Sequence, residues 1–224
     1  MLQQTQASRV TPKYLSFIEK FPAAQVLAQT PLAGVLAAWN GLGYNRRAKY
    51  LHEAAKQLAT TPHPWTLEDL VACKGVGPNT AAAVCVYAYN QPLVFIETNV
   101  RTVFIHHFFQ DKVDIHDKEI LPLVELALDR ELPREWYWAL MDYGVHIKST
   151  VGNTARASKH YTKQSKFEGS KRQIRGQVLR LLGERGQTHQ QLAKYIPDER
   201  LEAVLVDLQR DGLISVRKGN ISLG

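Results

Sequence analysis

Residues 70–84, LVACKGVGPNTAAAV, place two glycines between two helix-like segments. Gly75 and Gly77 can take positive φ, so the chain can reverse there while backbone N–H groups point outward. Pro78 suits a first helical turn, where its missing donor costs nothing. The helix opening near Asn79 adds its dipole, and these donors together make a site for one DNA phosphate. Ala81, Ala82 and Ala83 leave room for close helix packing. A GxG between helices is also a common plain turn, so its meaning depends on the residues around it.

Helical periodicity dominates on both sides of this turn. The opening MLQQTQ is expected to lie already within a helix. Val10, Tyr14, Phe17, Ile18 and Phe21 then share one face of a helix that stops near Pro22. Further helices are predicted over 31–39, ended by Gly41 and Gly43, and over 46–58. Thr66 opens a short helix as a capping box with Asp69. The apolar LVFI leads to Glu97, and helices follow over 98–109, 118–132 and 133–146.

After Lys148 the composition turns polar and basic, with few aliphatic residues. Three regions are expected: a mainly α domain over 1–150, a basic linker over 151–172 draped on a surface, and a small module over 173–224. The module shows a helix from Arg175 through Leu182, a second from Thr188 to Tyr195, and a third capped by Asp198. Two short β-like runs around Lys218-Gly219-Asn220 complete it. Three helices and a hairpin in that order are the pattern of a winged helix.

The 224 residues carry a net charge of +7 and a pI near 9.4, which favours a polyanionic partner. Cys73 and Cys85 form no CxxC and no Cys/His metal spacing. His106 and His107 are adjacent and so face different ways, and His146 stands apart, which argues against metal ligation. The first ten residues are polar, unlike a signal peptide, and no apolar run has the length of a membrane span. The expectation is a monomeric, cytoplasmic, nucleoid-associated protein with reduced thiols and no membrane partner.

Four ordered segments carry a family resemblance: MLQQTQ (1–6), GLGYNRRAKYLH (41–52), KGVGPNTAAAV (74–84) and IETNVRTV (96–103). They resemble the helix-hairpin-helix (HhH-GPD) DNA glycosylase superfamily that includes endonuclease III. Within it they are most similar to adenine DNA glycosylases, which act on adenine opposite 8-oxoguanine. The resemblance runs from Met1 to about Lys148 and implies an all-helical, two-lobed glycosylase fold. It implies that Leu2, Gln3 and Gln4 form a wedge, with Gln4 entering the base stack, and that Tyr44 grips the opposite base. Gly75, Val76, Gly77, Asn79 and Thr80 would hold the DNA backbone. The partner so implied is double-stranded DNA containing a damaged or mismatched base.

Cleaving a base from deoxyribose passes through an oxocarbenium-like sugar, after the base has been flipped from the stack. It requires a proton on the leaving purine and negative charge near the developing cation. The resemblance assigns the charge to Glu97, where the family carries an aspartate, and to Asn99 a hydrogen bond to that carboxylate or to the nucleophilic water. Asn79 stands where bifunctional relatives carry a Schiff-base lysine, which implies a monofunctional enzyme. The family's proton-donating glutamate falls before MLQQTQ, so the chain is expected to begin after the family's first helix and to lack that donor. The family's four-cysteine iron–sulfur cluster is expected to be absent, because its first cysteine falls on Lys148 and none follows. No cofactor is therefore expected. The family's C-terminal domain for 8-oxoguanine is replaced by the module over 173–224. Two further readings follow from these departures. One is a DNA-binding protein with a glycosylase fold and impaired catalysis. The other, a transcriptional regulator built on the C-terminal module, leaves the four segments unexplained.

Overall fold

The computed structural model describes residues 1–3 and 5–224, so the expected role of Gln4 lies outside the described residues. Packing divides the chain into two compact units: one holds residues 1–61, 73–75 and 165–224, the other 62–72 and 76–164. The packing units therefore follow neither the 150 nor the 173 boundary expected from composition. No described helix is long and apolar enough to cross a membrane.

The first unit begins with α1 (Ala7–Lys20), α2 (Ala24–Gln29), α3 (Leu32–Trp39) and α4 (Arg46–Leu58). Met1–Gln3 are not helical, contrary to the expectation for the opening residues. The carbonyls of Met1 and Gln3 are taken instead by Arg47 Nη1, at 3.2 and 2.7 Å. Seven of the eight residues of α3, LAGVLAAW, are apolar and the eighth is glycine, and such a helix is stable only when surrounded. Val35, Leu36 and Trp39 are accordingly buried. Phe17 of α1 meets Trp39 edge-on at 6.0 Å and Phe21 at 4.7 Å. The buried stripe of α1 is narrower than its pattern suggested. Val10, Phe17 and Phe21 are covered, whereas Tyr14 and Ile18, on the flank of that stripe, are exposed.

The same unit takes in α10 (Lys171–Glu184), β1 (Gln187–Thr188), α11 (His189–Tyr195), α12 (Leu201–Arg210), β2 (Ile214–Arg217) and β3 (Asn220–Leu223). Among the described residues the strands form one antiparallel sheet in the order β1-β3-β2. Asp198 does not cap α12, whose N-cap is Arg200. It accepts instead from Arg200 N at 2.9 Å and from the Arg200 guanidinium. Ile174, Val178, Leu192, Leu205 and Ile221 join Val35, Trp39 and Leu42 in one apolar core. Residues 173–224 thus have no separate interior. At roughly 2–5 kcal/mol per large core side chain, this shared burial is a substantial part of the unit's stability.

The second unit contains α5 (Leu67–Val71), α6 (Pro78–Tyr89), α7 (Thr98–Phe108), α8 (Asp117–Ala127) and α9 (Pro133–Thr150). Val100, Phe104, Ile120, Val124, Tyr137 and Ile147 are central to its core. α9 continues to Thr150, a turn beyond expectation, and α8 stops at Ala127. The basic segment after α9 is pinned through a 3-10 turn, Thr154–Ala157. Thr154 Oγ1 donates to Thr102 O at 2.8 Å, Ala155 is buried, and Ile115 pairs with Ser158 in a parallel bridge.

Candidate active site and nucleic-acid interface

Thr66 opens α5 with a reciprocal capping box, its N–H donating to Asp69 Oδ2 at 2.9 Å and its Oγ1 accepting from Asp69 N at 3.1 Å. The chain reverses at Gly75, whose φ of +83° belongs to the left-handed region that glycine tolerates. A Cβ there would collide with the Tyr50 ring. Gly77 departs from expectation. Its φ is −85°, a conformation open to any residue. It is the N-cap of α6 and brings no side-chain oxygen to the first turn, whose N–H groups helices leave unsatisfied. A Cβ on Gly77 would meet nothing within 4 Å. Gly77 and Asn79 are exposed, while Val76 and Thr80 are half-buried.

These two glycines therefore separate folding from binding. Gly77→Val is expected to preserve the circular dichroism spectrum and melting temperature while weakening duplex affinity at least about tenfold, by occupying the space in front of the α6 N-terminus. Gly75→Val should instead destabilise the protein. Duplex titration by fluorescence anisotropy, paired with thermal melts, checks both.

In the second unit, the LVFI segment is fixed before it delivers Glu97. Tyr137 stacks on Phe95 at 4.0 Å, and its hydroxyl accepts from Phe95 N at 3.0 Å. Glu97 is the N-cap of α7, where its Oε1 accepts from Val100 N at 2.9 Å and from Asn99 N. The carboxylate thus sits on the positive end of the helix. Asn99 faces away from Glu97 toward α9. Its Oδ1 accepts from Lys148 Nζ at 2.6 Å, and its Nδ2 donates to Met141 Sδ at 3.5 Å. Gly144 makes this approach possible, since a Cβ there would stand 2.6 Å from Asn99 Cβ.

Burial pushes the Glu97 carboxyl above the usual carboxylate range, against the pull of the Val100 and Asn99 N–H groups, Lys148 and Arg101. Burial also lowers the Lys148 ammonium, opposed by the Glu97 charge. Arg101 is committed to Asp117 through two bonds of 2.7 and 2.6 Å. Burial, then the charges of Glu97 and Tyr137, pushes the Tyr87 hydroxyl up to about 12. A carboxylate whose charge is costly when the site is empty is suited to meeting a developing cation. Asn99 meets Glu97 through its backbone N–H, whereas the side chain expected to bond the carboxylate or the water is engaged with Lys148 and Met141. Lys148 and Tyr87 were missed as members of this site; the only sequence signal was that Lys148 falls on a cluster position.

In the first unit, Tyr44 is exposed with a φ of +47° in a turn held by Trp39 Nε1 donating to Gly43 O at 3.1 Å. The Arg47 guanidinium lies over both Trp39 and Tyr44, 5.5 and 5.4 Å from their ring centroids. Leu2 is 64% exposed and Gln3 is also exposed. Arg172 is a further neighbour, found in none of the four segments, and its Nη1 donates to Tyr44 Oη at 3.1 Å.

The donor set does not fit a four-cysteine cluster. The sequence holds two cysteines, both buried, and the Lys148 amine at the first cluster position is engaged with Asn99. Among the described residues, no group of three or more His, Cys, Asp or Glu could hold a metal ion.

The chain is 36% identical to the adenine DNA glycosylase of Mycobacterium tuberculosis (strain CDC 1551 / Oshkosh) over 153 residues, 66% of this chain and 50% of the relative. It is 32% identical to the adenine DNA glycosylase of Mycolicibacterium smegmatis over 209 residues, covering 81% of this chain and 69% of that protein. The chain thus spans about half the length of the first of these relatives. A solved structure of a thermostable thymine-DNA glycosylase shares the fold, with a TM-score of 0.55 and 23% identity over 64% of this chain and 69% of that one. The family model for the HhH-GPD superfamily base excision DNA repair protein matches residues 1–127, which include the hairpin and Glu97, and the chain belongs to that family.

Proposed function

We propose that this protein is a monofunctional DNA glycosylase of base-excision repair that removes adenine opposite guanine or 8-oxoguanine. The observation that carries the reading is Glu97, a half-buried carboxylate with a raised pKa on the N-terminus of α7, supported through Asn99 by Lys148. The names of the mycobacterial relatives favour adenine as the base. The partner is duplex DNA, held by the basic surface and the α6 N-terminus, and the protein acts as a monomer.

In this mechanism the flipped nucleotide places its sugar beside Glu97. Departure of the base leaves positive charge on C1′ and the ring oxygen, which the carboxylate stabilises. Asn99 holds its backbone N–H on Glu97 and its side chain on Lys148, fixing the carboxylate before the reaction begins. Water adds to C1′ in place of the broken C1′–N9 bond, its proton passes through solvent to the departing adenine, and an abasic site remains. Asn79, at the start of α6, offers no amine for a Schiff base, so the strand stays intact until alkali is added.

The test is single-turnover excision on duplexes with A opposite 8-oxoguanine, G and T, with and without alkali. Abasic product that breaks only after alkali, formed fastest opposite 8-oxoguanine or G, supports the proposal. Strand cleavage without alkali, or a borohydride-trapped protein–DNA adduct, overturns its monofunctional part. Binding without excision favours the DNA-binding reading with impaired catalysis. The protein is also proposed to work without an iron–sulfur cluster. Purified protein is expected to show no visible iron–sulfur absorbance and no stoichiometric iron; roughly four iron atoms per chain would contradict this.

A further inference from the structure

We propose that the β2–β3 hairpin is a further DNA contact, with Arg217 and Lys218 at its tip binding backbone phosphates of the duplex that flanks the target nucleotide. The proposal rests on the reading above that the partner is duplex DNA. The tip is a two-residue loop, since Arg217 pairs with Asn220 across it. Its central residues, Lys218 and Gly219, have φ of +49° and +77°, the signs that a type I′ turn requires. Asparagine before glycine is the favoured sequence for such a turn, because asparagine tolerates the left-handed region. Lysine does not share that tolerance. The turn therefore holds a cation in a conformation that folding alone would give to another residue, and strain of this kind gathers at functional positions.

The sheet fixes the hairpin in place. β3 lies between β1 and β2, Ser215 Oγ and Ser222 Oγ meet across the strands at 3.0 Å, and Ile221 is buried in the core. Gly186 lets the start of β1 come close, since a Cβ there would stand 2.6 Å from Asn220 Nδ2. Arg185 arrives at this end of the sheet with Gly186, and Arg185, Arg217 and Lys218 are all exposed. Among the described residues none of these three enters an ion pair, whereas Asp198, Glu202, Asp207 and Asp211 each have a basic partner. Against Glu184, the acid beside Arg185 in the chain, the three cations leave this end of the sheet positive.

The helix α12 is unsuited to the same task. Its exposed positions include Glu202, Ala203 and Val206, and its Arg210 is spent on Asp207. Such a face has no free cation with which to displace counterions from a phosphate backbone. α10 sets the distance of the hairpin from the Tyr44 turn. Its first turn carries Arg172, whose Nη1 donates to Tyr44 Oη at 3.1 Å, and its far end leads into Arg185 and Gly186. Its 14 residues span about 20 Å, the length of about six base pairs. A phosphate contact at that distance carries no preference for the base opposite the target.

The experiment measures affinity of the full chain for duplexes holding a non-cleavable abasic-site analogue, over a series of salt concentrations. One duplex has about twelve base pairs on each side of the analogue and another about four, too few to reach the hairpin. On the long duplex, Arg217→Gln combined with Lys218→Asn should bind about tenfold more weakly than wild type at low salt, and the slope of log affinity against log salt should shrink by about two. Lys218→Asn alone should shrink the slope by about one while melting at or above the wild-type temperature, since asparagine relieves the turn. On the short duplex both variants should match wild type within about twofold, and Gln209→Ala on α12 should match it on either duplex. Unchanged affinity and slope on the long duplex overturn the proposal. An equal loss on the short duplex, or a loss that depends on whether 8-oxoguanine or cytosine faces the analogue, overturns it as well. A loss by Gln209→Ala without one by the hairpin variants assigns the contact to α12 instead. The readout needs no excision, so an inactive but DNA-binding chain leaves it decisive. No duplex binding by wild type overturns it together with the glycosylase reading.

Discussion

Glu97→Gln is expected to lower single-turnover excision by about a hundredfold or more while leaving duplex affinity within about twofold. The substitution keeps an oxygen for the N–H groups of Asn99 and Val100, so the start of α7 is preserved. What it removes is the negative charge facing the sugar. The same change should stabilise the folded protein at neutral pH. Burial raises the Glu97 pKa in the fold above its unfolded value of about 4.3, so ionising it costs stability as pH rises through that interval. Above the folded pKa the cost is complete, and below about 4.3 it vanishes. The melting temperature of Glu97→Gln should therefore exceed wild type at pH 7 and converge with it in acid. Wild-type excision by the glutamine variant would leave Glu97 as a helix-end charge and nothing more.

The features legible in the sequence are those whose causes are local. The Thr66–Asp69 box, Pro78 in the first turn of α6 and Glu97 at the start of α7 each act within three or four residues. α2 was missed because it is six residues long and lacks a side-chain cap. β1 was missed because two residues cannot show an alternation. The left-handed position of the hairpin turn was ambiguous for a different reason. Both glycines permit positive φ, and only contact with Tyr50 shows that Gly75 is the one that requires a bare backbone. The common core of 1–61 and 165–224 was hidden because composition records the basic stretch between α9 and α10 but not what Ile174 and Val178 pack against. The partners of Asn99 and Tyr44 are more remote still: Lys148 is 49 residues from Asn99, and Arg172 is 128 from Tyr44. No spacing rule reaches that far, so the carboxylate could be found from sequence while the amine that supports it could not.

Lys148→Met is the change that tests this support. The methionine keeps most of the aliphatic stem, so the packing of α9 should survive, but Asn99 Oδ1 loses its donor and Glu97 loses the cation placed beside it. Three groups besides the carboxylate set the local field: Lys148 on α9, Tyr87 on α6, and Arg101 on α7 itself. Arg101 cannot compensate, because Asp117 takes both arms of its guanidinium. Tyr87 is neutral at ordinary pH, with its hydroxyl pushed up to about 12. Removing the amine must therefore raise the Glu97 pKa further, because the cation that favours its ionised form is gone. Less of the carboxylate is then ionised at any given acidic pH. The acid limb of the single-turnover rate should move to higher pH, with excision on that limb down about tenfold and duplex affinity little changed. Lys148→Arg, which restores a cation and a donor, should return the limb most of the way. A merely structural lysine would lower the rate at every pH without moving the limb, and that outcome would separate Lys148 from the chemistry of Glu97.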